Sequence, residues 1–122
     1  MLKIDKDKNQ EFYNSFTPCN CAYCRNFYKQ IKSACKDLTD FFHEYNIDIA
    51  KPFELISIES DRLIEYASCQ YLVFGECSDK LDISVGGMNI TRNIDCHPST
   101  KEYDRPHFIL DFSVSLPYLI EE

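Results

Sequence analysis

The chain has no tryptophan, two methionines and only three glycines in 122 residues. With so little glycine, neither a P-loop nor a Gly-x-Gly-x-x-Gly fingerprint is present, and both nucleotide-cradling loops need glycine for close backbone approach. Gly86-Gly87 reads instead as a tight turn. The chain also lacks a Gly-x-Ser-x-Gly elbow, a His-Glu-x-x-His pair and an EF-hand loop, so the common hydrolase, metalloprotease and calcium templates have no foothold. No apolar run is long enough to span a bilayer, which predicts no membrane partner. The opening Met1-Leu2-Lys3-Ile4-Asp5-Lys6-Asp7 has no apolar h-region, so no secretory signal is expected there and the predicted location is cytoplasmic. An excess of positive charge is missing too. Thirteen Lys and Arg stand against twenty Asp and Glu, a formal charge of −7.

That charge is unevenly placed. Up to Lys51 there are eight bases and seven acids; from Pro52 onward there are five bases and thirteen acids. An acidic second half repels duplex nucleic acid and suits either plain solubility or a basic protein partner. The length fits one domain, 1–122, able to bury a sizeable core. Residues 1–10 are polar and are expected to fray.

Seven cysteines are present, an odd number with no secretory signal, and this points to reduced thiols rather than a disulfide framework. Three of them crowd into Thr17-Pro18-Cys19-Asn20-Cys21-Ala22-Tyr23-Cys24-Arg25. Cys19, Cys21 and Cys24 offer three thiolates to one ion, and zinc asks for four ligands in a tetrahedron. Cys96, His97 and His107 are the candidates for the fourth place. Cys24 has a plainer alternative, because it falls on an apolar stripe and small buried cysteines are common in cores. Cys69 and Cys77, in or beside strands, read as core. Cys19 and Cys21 at a helix start, with Arg25 one turn on, also suit a lowered thiol pKa. A nucleophilic cysteine needs a base, and only His97 and His107 are available to propose.

The stripe is Cys24, Phe27, Tyr28, Ile31, Cys35, Leu38, Phe42 and Tyr45 at steps of three and four, widened by Ala34 and Phe41. It predicts one amphipathic helix over about 21–45, begun by Thr17-Pro18 or Asn20 and ended at Asn46. Glu11–Phe16 reads as a short strand or extended lead-in. Strands are expected at 53–58, 63–74, 81–85, 88–94 and from Phe108 to Val114, with Glu59–Arg62 a turn and 95–106 a polar loop. The fold class is therefore α+β: one long amphipathic helix packed on an antiparallel sheet of about four to five strands. Arg25, Lys29, Lys32 and Lys36 lie four, three and four apart, a basic line away from the stripe. Such a line is a solvated face or a site for an anionic, nucleotide-like ligand. The acids Asp79, Asp82, Asp95 and Asp104 read as solvated loop residues.

The run Pro18-Cys19-Asn20-Cys21-Ala22-Tyr23-Cys24-Arg25-Asn26-Phe27-Tyr28 resembles the opening of small uncharacterised proteins of Firmicute bacteria and their phages. The bend at Ile47–Pro52 and the tail at Leu116-Pro117 fit the same resemblance. It implies a cytosolic bacterial or phage setting and carries no catalytic role. Three functions follow as expectations. The first is a non-catalytic protein-interaction module, in a phage setting an inhibitor of a host system, with zinc as a structural metal. The second is a binder or sponge for a small anionic ligand through the basic line. The third is a small cysteine- or zinc-dependent enzyme.

Overall fold

The computed structural model describes residues 2–93 and 105–119. In chain order it holds β1 (Leu2–Ile4), α1 (Lys6–Ser15), α2 (Ala22–Ala34), α3 (Lys36–Glu44), β2 (Glu54–Ser60), β3 (Leu63–Cys77), β4 (Asp82–Val85), β5 (Met88–Asn93) and β6 (His107–Pro117). The sheet is antiparallel throughout, ordered β1-β3-β6-β5-β4, with β2 also paired to β3. The α+β class is as expected, and the sheet has six strands.

The expected single helix is two. Cys35 leaves helical geometry at φ −131°, ψ 67°, closing α2 and opening α3. Neither proline nor glycine stands there, so local chemistry gives no warning. Backbone bonds continue across the break: the Cys35 N–H donates to Ile31 O, and the Cys35 carbonyl accepts from the Thr39 N–H. The Thr39 hydroxyl donates to the same carbonyl at 2.8 Å. Beyond the break, α3 meets the β4–β5 turn so closely that a Cβ on Gly86 would lie 2.7 Å from Asp37 Cβ. Most of the apolar stripe survives the break. Phe27, Ile31, Leu38 and Phe42 are all buried against Ile64, Tyr66, Tyr71 and Phe112 of the sheet, whereas Ala34 is exposed.

The N-terminal expectation also changes. Residues 2–4 pair with β3, and 6–15 form a helix rather than a frayed tail and a strand. The pull is a gap in the edge of β3. On that edge β2 pairs with residues 63–70 and β1 with 75–77, leaving polar groups between them. The stretch around α1 supplies the missing partners. Asp5 N–H donates to Phe74 O at 2.9 Å, Phe74 N–H donates to Asn9 Oδ1 at 2.8 Å, and Tyr13 Oη donates to Leu72 O at 2.6 Å. Buried strand amides without partners are costly, so a polar helix face here is a structural requirement. Phe12 then covers Leu72, Phe74 and Ile109 on the opposite face of the sheet from the main core, with Phe53 beside it.

The turns behave as their residues suggest. Asn46 ends the helical segment at φ 61°, and Gly86-Gly87 joins β4 to β5 with both φ values positive. β2 and β3 are joined by Asp61 and Arg62 at φ 54° and 66°, a left-handed pair that asparagine and glycine adopt more easily.

Candidate metal centre

The Cys19, Cys21 and Cys24 sulfurs all lie within 4.8 Å of one another. This cluster sits where the chain enters α2. Cys21 is the N-cap residue, in place of the expected Thr17-Pro18 or Asn20, and its side chain makes no capping bond. The turn is instead strapped to the helix it precedes. Tyr28 Oη donates to the Cys19 carbonyl at 2.6 Å, and Arg25 Nη1 donates to the Asn20 carbonyl at 2.8 Å. The Cys21 N–H points to Cys19 Sγ at 3.5 Å. Cys19 and Cys21 are exposed and Cys24 is buried, so the cluster has a protein side and a solvent side.

The environment divides the thiols. Partial burial pushes Cys21 up, but hydrogen bonds from the Cys24 amide and thiol, the Cys19 thiol and the Tyr23 amide outweigh it and leave Cys21 below the ordinary thiol value. Burial, reinforced by its two cysteine neighbours, pushes Cys24 up to about 12. Tyr28 is raised as well, by burial and then by the Cys24 charge. This pattern describes several sulfurs competing for one space. A tetrahedral zinc with Zn–S bonds of about 2.3 Å sets its sulfurs about 3.8 Å apart, so the cluster needs to contract by only about 1 Å.

The helix bearing the cluster is fixed to the sheet by Asn26, which no sequence motif marks as a site residue. Asn26 is fully buried. Its Nδ2 donates to Tyr66 Oη and to Pro117 O, and its Oδ1 accepts from the Leu119 N–H. Tyr66 Oη in turn donates to the Tyr23 carbonyl at 2.7 Å, and Tyr23 Oη donates to Glu59 on β2. A lone asparagine between Arg25 and Phe27, at the margin of an apolar stripe, was the available signal.

Cys96 and His97 lie outside the described residues. His107 is not beside the cluster: it opens β6, while Pro117 at the other end of β6 meets Asn26. Those ends are about 30 Å apart at about 3.3 Å per strand residue. His107 Nδ1 instead sits 2.7 Å from the Arg105 carbonyl. Cys69 is buried in the core, as expected, and Cys77 is half-buried.

Of the basic line, Arg25, Lys29 and Lys32 share α2, and Lys36 falls on α3. Arg25 is used on the Asn20 carbonyl, Lys29 is exposed, and Lys36 lies beyond the break, 3.3 Å from Asp40 of its own helix. Lys32 stands 4.0 Å from Asp48, at a cleft of about 400 Å³ between α1, α3 and residues 46–51. No helix among the described residues is long and apolar enough to cross a membrane. No protein-family model matches this chain, and comparison with curated proteins and with solved structures finds none similar to it.

Proposed function

We propose that this is a non-catalytic protein-binding module whose entry into α2 is closed by one zinc ion held by Cys19, Cys21 and Cys24. The observation that carries this reading is the meeting of three sulfurs within 4.8 Å at a turn already strapped in place. Thiolates select zinc among the abundant divalent ions, and the solvent side leaves the fourth position to water or an outside ligand. The same first turn of α2 carries Tyr23, bonded to β2, and is followed at once by Asn26, bonded to β6. Metal at the cluster therefore stiffens the joint between helix and sheet. A cytosolic bacterial or phage setting agrees with reduced thiols, and within it an inhibitor of a host protein is the role this reading favours.

The rival enzyme reading would need a base beside the cluster, and the anion-sponge reading would need the four cations together. Against the sponge, Arg25 is engaged by the Asn20 carbonyl, and Lys32 and Lys36 stand beside Asp48 and Asp40.

Elemental analysis with thiol titration tests the proposal. One equivalent of zinc, with three thiols protected until a chelator is added, is the expected result. No metal after purification in zinc-containing buffer, with all exposed thiols freely reactive, would contradict it. The pH dependence has a defined sign. Cys24 holds its proton well above neutrality, so metal must displace at least that proton. Zinc affinity should therefore rise by at least about tenfold per pH unit across pH 6 to 8 in competition titrations.

A further inference from the structure

β2 is an edge strand. It pairs with β3 along one side and, among the described residues, with no strand on the other. Native edges are commonly guarded by charged side chains, above all lysine, by proline, by a bulge or by very short length. Of these guards β2 has only the charges of Glu54 and Glu59. It runs for seven residues as Glu54-Leu55-Ile56-Ser57-Ile58-Glu59-Ser60, with no lysine and no proline. The irregularity in its pairing belongs to β3: Ile56 faces Ser68 and Ser57 faces Tyr66, so Ala67 is the extra residue.

The side chains of β2 point in two ways. Leu55 is half-buried toward the helices, while Ile56 and Ile58 are 49% and 55% exposed. Leu63, 45% exposed, is paired with Ser60 and so lies on the same outer face. These are three of the four large exposed hydrophobics among the described residues, and they adjoin one another at one free edge. Charge narrows the occupant. Residues 52–65 carry Glu54, Glu59, Asp61 and Glu65 against the single base Arg62, with Glu65 beside Ile58 in the sheet. A second copy would bring the same acids, and a net charge of −7, to the same place.

We propose that β2 accepts an extended segment of a partner protein as an added strand, one that alternates aliphatic with Lys or Arg side chains. Backbone hydrogen bonds supply the pairing, aliphatic side chains cover Ile56 and Ile58, and basic ones on the other face meet Glu59. The inference rests on the reading as a binding module but not on its metal.

The test uses the full chain and three labelled seven-residue peptides: Lys-Val-Lys-Val-Lys-Val-Lys, the same peptide with its central Val replaced by Pro, and a Glu-for-Lys version. Fluorescence anisotropy should show the first binding at least tenfold more tightly than either of the others. I56K/I58K should lower that affinity at least tenfold with an unchanged circular dichroism spectrum, since both side chains already face solvent. Equal binding of the first peptide and its Pro version would mean charge attraction without strand addition, and would overturn the proposal. So would a lack of binding by all three. A dimer in sedimentation equilibrium that I56K/I58K dissolves would overturn it in favour of a second copy. Repeating the titration with C19S/C21S separates the two proposals: unchanged peptide binding there, with zinc lost, supports the strand site independently of the metal.

Discussion

Two buried asparagines pin helices to the same sheet, and they do so differently. Asn9 and Asn26 are both fully shielded from solvent. Asn9 sits in the middle of α1 and closes an otherwise complete join. Its Oδ1 takes the Phe74 N–H, its Nδ2 donates to the Tyr45 carbonyl, and α1 has its own side-chain cap where the Lys8 N–H donates to Asp5 Oδ1. Asn26 grips the sheet just as firmly, yet the helix start one turn before it has no side-chain cap and presents three sulfurs instead. One helix has its polar ends and sheet side closed by hydrogen bonds. The other is fastened by hydrogen bonds on its sheet side and left to a second kind of chemistry at its tip. A cap typically contributes about 1 kcal/mol, and a metal on the cysteines can supply far more than that.

The comparison can be broken by substitution. The largest effect is expected at Asn9→Ala, which strands the Phe74 amide inside the protein and removes two bonds; a loss of about 3 kcal/mol in urea unfolding is predicted. Asn26→Ala should cost about 2 kcal/mol, because its Pro117 partner keeps a bond from Gln30. If α1 were a loosely docked appendage, the order of these two would reverse. D61N/R62G should stabilise by about 1 kcal/mol, since the new residues adopt the left-handed turn between β2 and β3 without strain. The smallest effect belongs to C19S/C21S in the absence of metal, within about 0.5 kcal/mol of the parent, as both side chains are exposed. A larger loss in metal-free buffer would mean that the sulfurs stabilise the turn without an ion.

Periodicity and turn chemistry made much of this legible beforehand. The stripe from Phe27 to Phe42 named the core face correctly, and Asn46 and Gly86-Gly87 marked real reversals, because each depends on neighbours a few residues away. The break at Cys35 was not legible, since Ala34-Cys35-Lys36 is acceptable helix and only tertiary packing bends it. α1 escapes sequence patterns for a related reason. Its apolar content is low, and what holds it is the unpaired stretch of β3, some sixty residues later. Asn9 and Asn26 look like surface asparagines until that stretch and the chain after Pro117 are in place. The thiol cluster was visible as spacing, while the distance of His107 from it follows from the direction of β6.

Cobalt titration of the reduced, metal-free protein examines the central claim most directly, because the visible spectrum of Co²⁺ reports both sulfur ligation and coordination geometry. Strong tetrahedral bands and a near-ultraviolet thiolate band are expected to saturate at one equivalent, be displaced by zinc, survive Cys35→Ser and vanish with Cys24→Ser. Weak octahedral absorption that never saturates, or a spectrum indifferent to Cys24, would contradict it.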